Sequence, residues 1–166
     1  MITAIIETRD DEVSLAHALA ALVPAATEGV VREVVVVDYG SSDGTLTVAD
    51  AAGCNVVEAR DSGTVRDVAE QARGDWLLFL KPSTRVAPDW HEGALAFIDR
   101  ALVTGRARAS AASLRKGRVD RGWFAWVRAR LMATDGRLVS KSAFLAATAP
   151  VPSAASTVAG ARRGAA

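Results

Sequence analysis

The sequence predicts an α/β fold, a mostly parallel sheet with helices on both faces, and two observations carry that prediction. The first is a pair of uninterrupted apolar runs, Val34-Val35-Val36-Val37 and Trp76-Leu77-Leu78-Phe79-Leu80. Runs of this kind suit strands buried on both faces, because a strand with one wet side would alternate. The second is order: apolar runs alternate with stretches of helical pattern, and strands joined through helices return parallel by right-handed crossovers.

Ile2 to Thr8 is the first strand. Asp10-Asp11-Glu12 then places acids on the opening turn of a helix, where the helix dipole favours them. That helix is expected to reach about Leu22 on a stripe of Val13, Ala16, Leu19, Ala20 and Leu22 or Val23, with Pro24 as its stop. A second strand follows from about Val30 to Asp38. Ser42 or Asp43 caps a helix from Thr45 to Ala52, Gly53 ends it in the left-handed conformation, and Asn55 to Glu58 is a short strand. Ser62-Gly63-Thr64 opens a helix to about Ala72, and Arg73-Gly74 leads into the strand Trp76 to Leu80. After the loop Lys81-Pro82-Ser83-Thr84-Arg85, Pro88 and Asp89 start a helix from Trp90 to Val103.

Farther on, Ala107 to Leu114 alternates weakly as a strand does, and Arg115 to Gly122 is basic and irregular. Trp123 to Ala133 reads as an amphipathic helix, Arg137 to Val139 as a short strand, and Ser140 as the cap of a helix from Lys141 to Ala147. Residues 1–149 are read as one domain. From Pro150 the Ala/Pro/Ser/Gly composition builds no core, so 150–166 is expected to be a disordered tail.

Composition narrows the function classes. With 166 residues, half of them hydrophobic, the chain is long enough for a core without disulfides. Twenty Lys and Arg against nineteen Asp and Glu leave no basic footprint for nucleic acid. Cys54 stands alone, and His17 and His91 are isolated, which argues against a zinc site. Cys54 is read as a buried small hydrophobe, His17 as lying on the polar side of its helix and His91 as solvated. No apolar run approaches the about 20 residues of a membrane span. The expectation is a cytoplasmic protein whose membrane contact, if present, is peripheral.

The second strand delivers Asp38 to the carboxyl edge of the sheet, where open α/β folds bind ligands, and the loop after Leu80 shares that edge. Asp38 is read there as a ligand group or as a strand-end cap, and Asp43 as a capping residue. Arg66 either reaches an anionic ligand or pairs with Asp67 or Glu70 on its own helix. Lys81 and Arg85 are either phosphate-binding or solvated loop charges. Trp123, Phe124 and Trp126, with Arg121, Arg128 and Arg130 nearby, suit core packing, a membrane surface or a homodimer contact.

The strand Ile2-Thr3-Ala4-Ile5-Ile6-Glu7-Thr8, the block Val35-Val36-Val37-Asp38-Tyr39-Gly40-Ser41-Ser42-Asp43-Gly44-Thr45, Arg66-Asp67, and Ala72-Arg73-Gly74-Asp75-Trp76-Leu77-Leu78-Phe79-Leu80 together resemble family 2 glycosyltransferases of GT-A fold. The resemblance covers residues 2–100 well and Asp135 to Leu145 more loosely. It implies a nucleotide-sugar donor, with Thr8, Arg9 and Asp38 flanking base and ribose and Asp38 accepting a hydrogen bond from the base edge. Tyr39 stands where the family usually has a second Asp, and either stacks on a base or blocks the pocket. Glu7 replaces a usual proline.

At Lys81-Pro82-Ser83 the resemblance implies Asp-x-Asp, whose carboxylates hold a divalent cation against the diphosphate. This chain has no carboxylate in that loop. No magnesium or manganese is therefore expected, with Lys81 and Arg85 supplying fixed positive charge instead. Asp135, in Thr134-Asp135-Gly136, is the candidate base by resemblance, although Asp-Gly is also a common turn. The resulting expectation is inverting sugar transfer without a metal to the hydroxyl of an unidentified acceptor, a lipid-linked one being among the options. The alternative is a catalytically inactive GT-A module for binding or assembly. A nucleotide enzyme of another family lacks support, because neither a Gly-x-Gly-x-x-Gly nor a Walker loop is present.

Overall fold

A computed structural model describes residues 1–61, 63–105, 111–113 and 136–147. Its elements are β1 (Ile2–Thr8), α1 (Glu12–Thr27), β2 (Val31–Asp38), α2 (Thr45–Ala51), β3 (Asn55–Glu58), α3 (Thr64–Gln71), β4 (Trp76–Leu80), α4 (Trp90–Val103), β5 (Ala111–Ser113), β6 (Arg137–Ser140) and α5 (Lys141–Ala147). The described strands form one sheet in the order β3-β2-β1-β4-β6-β5. β3, β2, β1 and β4 run parallel, and β6 and β5 add to β4 as an antiparallel pair. The mostly parallel α/β sheet read from the sequence is the sheet observed.

Period-two alternation splits the core in two. Ala4 and Ile6 of β1, Val36 of β2 and Leu78 and Leu80 of β4 face Leu15, Leu19 and Leu22 of α1 and Trp90, Ala94 and Ile98 of α4. Ile5, Val35, Val37, Leu77 and Phe79 face Val68 and Ala69 of α3 and Phe144 of α5, with the Phe79 and Phe144 rings 4.9 Å apart. Ile5, Ile6, Leu77 and Leu78 are wholly buried, and burial of each contributes about 2 kcal/mol.

Two expectations about α1 need correction. The helix does not stop at Pro24 but continues to Thr27 with Pro24 inside it. The ring lies on the exposed side, and Ala20, whose carbonyl loses its partner, is also exposed, so water can take that hydrogen bond. The buried stripe is Leu15, Ala18, Leu19, Leu22 and Ala25, whereas Val13 is 69% exposed and Val23 57%. An alanine-rich helix offers apolar residues on every face, so spacing alone does not fix which face is buried.

His91 is also corrected: it is buried, with Nε2 3.3 Å from Glu28 Oε2. The start of α4 tucks under the end of α1, where the Trp90 indole donates to the Ala21 carbonyl at 3.1 Å. His17 is exposed, as expected. Cys54 is half-buried against the core, and that burial pushes its thiol pKa up.

Ser140 caps α5 by accepting the Ala143 N–H at 3.2 Å. Lys141 Nζ closes the far end of α3 by donating to the carbonyls of Glu70 and Ala72, both at 2.8 Å. No helix among the described residues is long and apolar enough to cross a membrane.

Candidate functional site

The parallel strands β2, β1 and β4 lie side by side, and their carboxyl ends open onto a cleft of about 520 Å³. Its walls are Glu7, Thr8, Arg9 and Asp11 from the end of β1 and the turn after it, Tyr39 from β2, and Lys81, Pro82 and Ser83 from the loop after β4. A strand spacing of about 4.8 Å sets Tyr39 and Lys81 roughly 10 Å apart along this edge. The volume lies within the range of about 300–1,000 Å³ typical of small-molecule sites.

Alternation decides which strand-end side chains are available. Glu7 follows Ile5, Tyr39 follows Val37 and Lys81 follows Phe79, so all three lie on the α3 side of the sheet. Asp38 follows Val36 and turns to the α1 side. There it is 3% exposed and builds its own turn. Oδ2 accepts the N–H groups of Gly40 and Ser41, both at 3.0 Å, and Oδ1 accepts the Ser41 hydroxyl. Asp38 is not among the residues that line the cleft.

The turn is also fastened to the start of α1. Ser41 Oγ accepts the Asp10 N–H at 2.9 Å, Thr45 Oγ1 accepts the Asp11 N–H at 2.9 Å, and Asp43 Oδ2 accepts the Glu12 N–H at 3.2 Å. In return Asp10 Oδ1 takes the Ser42 N–H at 2.7 Å and Glu12 Oε2 takes the Gly44 N–H at 3.2 Å. Asp10 adopts a left-handed φ of 51°, a conformation aspartate tolerates better than most residues. Donors at the helix start that water would otherwise satisfy are thereby used within the fold. The expected cap on α2 is corrected: its N-cap is Gly44, with no side-chain cap bond, and Asp43 serves the turn instead, where the Thr45 hydroxyl, with the Thr45 and Glu12 N–H groups, holds its carboxyl below the usual range.

In the cleft, the Tyr39 hydroxyl donates to Glu7 Oε2 at 2.8 Å. Partial burial, together with the Glu7 hydrogen bond and charge, pushes the phenol up to about 12. On the far side the loop is closed by Thr84, which is buried. Its hydroxyl accepts the Lys81 N–H at 3.0 Å and its own N–H reaches the Lys81 carbonyl at 2.8 Å. The Lys81 side chain is left exposed at the cleft wall.

Of the residues singled out in the sequence, Thr8, Arg9, Tyr39 and Lys81 are brought together in this cleft. Arg85 is exposed but does not line it. Arg66 takes the reading in which it pairs on its own helix: Nη2 is 2.8 Å from Glu70 Oε1, and Nη1 donates to the Leu145 carbonyl at 3.0 Å, joining α3 to α5. Asp135, and Trp123, Phe124 and Trp126 with Arg121, Arg128 and Arg130, lie outside the described residues, as do Ser62 and 150–166. Sequence reading passed over Glu7 and Asp11 as wall residues. The signal for Glu7 was present in the strand period, which sets it on the same face as Tyr39.

Arg137 was also passed over. It pairs with Phe79 and so sits near the carboxyl edge, where burial pushes its guanidinium down to about 10.

The profile of Glycosyl transferase family 2 matches residues 3–164. The chain belongs to that family. None of the curated proteins matches it. Among solved structures, glucosyl-3-phosphoglycerate synthase from Mycobacterium tuberculosis in complex with uridine diphosphate is similar, with a TM-score of 0.57 and 21% identity over 85% of this chain and 57% of that one. The same enzyme with Mn2+, uridine-diphosphate-glucose and phosphoglyceric acid gives a TM-score of 0.55 at 21% identity, over 85% and 56%. A further mycobacterial protein gives 0.50 at 23% identity, over 61% and 36%. The likeness is one of fold, and this family 2 chain spans a little over half the length of the synthase.

In this family 2 chain the residues expected to hold a divalent cation do not suit one. Lys81-Pro82-Ser83 presents an ammonium in place of carboxylates, and among the described residues no three His, Cys, Asp or Glu side chains converge.

Proposed function

We propose that this chain is a glycosyltransferase domain that takes a nucleotide sugar into the cleft between Tyr39 and Lys81. The observation that supports this reading most is the cleft itself, which lies at the carboxyl edge of a family 2 sheet with Thr8, Arg9 and Lys81 in its walls. The nucleoside lies toward β1 and β2, and the diphosphate toward the Lys81 ammonium, whose fixed charge opposes the negative charge growing on the leaving group. The neighbouring synthase was solved with uridine diphosphate and with uridine-diphosphate-glucose, which makes a nucleoside diphosphate sugar the class to try first.

Transfer is proposed to invert the sugar's anomeric carbon. The acceptor oxygen forms a bond to that carbon as the bond to the diphosphate breaks; the diphosphate leaves with the electron pair, and the acceptor proton passes to Asp135. The acceptor is proposed to be lipid-linked, docking through Trp123, Phe124 and Trp126. Loss of liposome binding in the Trp123→Ala/Trp126→Ala double variant is the expected result, and a parent protein that ignores liposomes removes this part.

The test of the whole is a panel of UDP-, GDP- and dTDP-sugars, each with and without manganese, read by thermal stabilisation and by release of the nucleoside diphosphate. Stabilisation and release that do not depend on manganese are expected. Silence across the panel overturns the reading. A second reading, a family member that binds without turnover, is favoured by the Asp38 carboxylate being spent on its own turn. It predicts stabilisation with no nucleotide release for any acceptor offered.

A further inference from the structure

Resting on the proposed donor site, we infer that Glu7, held in place by Tyr39, reads the nucleobase, and that it selects guanine over uracil. In this fold the acidic side chain at the base end of the cleft is not Asp38. That carboxylate points to the α1 side and takes hydrogen bonds from Gly40 and Ser41. Glu7 lies one strand over, in register with Val37, on the cleft side of the sheet, and it lines the cleft with Tyr39.

The Tyr39 hydroxyl engages Oε2 of Glu7. That single bond fixes the carboxylate's orientation and leaves acceptor capacity on both oxygens, since each carries two lone pairs. A fixed carboxylate is the complement of two adjacent N–H donors. Guanine presents such a pair in its N1–H and N2–H groups. Uracil offers one N–H flanked by two carbonyl oxygens, which a carboxylate repels, while adenine and cytosine each offer an amino group beside a bare ring nitrogen. A site whose buried or half-buried polar group goes unpaired with the wrong ligand discriminates strongly. Tyr39 acts here as a positioning residue, through Glu7.

The experiment is calorimetric titration of the full chain with GDP, ADP, CDP and UDP, followed by GDP and UDP on Glu7→Gln and Tyr39→Phe. GDP is expected to bind at least about tenfold more tightly than UDP, the scale of one good paired base contact. Glu7→Gln should bring the two within about threefold, mainly by weakening GDP. Tyr39→Phe should narrow the ratio less, without altering far-ultraviolet circular dichroism. UDP binding as tight as GDP overturns the inference and leaves the donor site standing. A GDP preference untouched by Glu7→Gln overturns the assignment to Glu7. If none of the four diphosphates binds, the donor site falls and the inference with it.

Discussion

The two edges of the sheet use the same polar device and reach opposite ends. At the amino edge, the Thr3 hydroxyl accepts the Gly74 N–H at 2.9 Å and donates to Glu33 Oε1 at 2.8 Å. At the carboxyl edge, Ser41 accepts the Asp10 N–H and donates to Asp38, and Thr45 accepts the Asp11 N–H and donates to Asp43. Each is a hydroxyl relaying between a backbone donor and a carboxylate. What differs is the space beside it. Thr3 is wholly buried, and a Cβ on Gly74 would fall 2.6 Å from the Thr3 nitrogen and 2.8 Å from the Ile2 carbonyl carbon. Thr45 is wholly buried too, but Ser41 is only half-buried, and the open cleft begins at Tyr39, two residues before it. A polar network therefore does not mark a site in this fold; the unfilled volume at the strand ends does.

The strongest way to break that contrast is Gly74→Val. With no room for a side chain it should cost about 3 kcal/mol or more, read as a lowered urea midpoint, while the folded fraction still binds nucleotide normally. Lost binding at unchanged stability would show that the edges are not separate.

Thr3→Val is next. It leaves the Gly74 N–H without its acceptor in a buried setting, and a loss of about 1–3 kcal/mol is expected in the same assay. Ser41→Ala removes a comparable relay where water can substitute, so about 1 kcal/mol or less is expected. A cost equal to that of Thr3→Val would erase the distinction between closed and open edges.

The smallest effects are in pH. Tyr39 is the one tyrosine in the chain, so its phenolate can be followed by ultraviolet difference absorbance. Its folded pKa of about 12 lies above the ordinary value of about 10, so its contribution to stability is complete below pH 10 and is lost as pH rises toward 12. Glu7→Gln should bring the midpoint down toward 10; an unmoved midpoint would detach Tyr39 from Glu7. Asp43 has the opposite sign. Its depressed carboxyl stabilises the fold above the ordinary carboxylate range and loses that contribution as pH falls below it. The acid limb of the stability curve should flatten slightly in Asp43→Asn.

Much of this was legible in the sequence. β1, β3, β4 and α4 begin and end where the residues predict, because β-branched runs, glycines and prolines mark their limits locally. β5 occupies only Ala111–Ser113 of the weakly alternating stretch. The register of α1 was not legible, since Ala16, Ala20 and Val23 are as apolar as the residues actually buried. In the cleft, Lys81 and Tyr39 were placed at the correct edge by strand order alone. That Asp38 turns inward and Glu7 outward depends on turn geometry and on counting strand period past the last apolar residue, which the motif itself obscures. Arg66 was ambiguous for a different reason: its partners Glu70 and Leu145 lie 4 and 79 residues away, and only the second needed the fold.

The central position of β1 has a consequence for how the protein is made. Ile2 pairs with Val31 on one side and with Trp76 on the other. At translation speeds of about 5–20 residues per second, several seconds separate the appearance of β1 from that of its second neighbour. Through that interval a strand of Ile2-Thr3-Ala4-Ile5-Ile6 has at least one open hydrogen-bonding edge, the kind of segment that recruits copies of itself. Soluble yield is accordingly expected to respond to synthesis rate and to chaperone supply well before it responds to the stability of the finished fold.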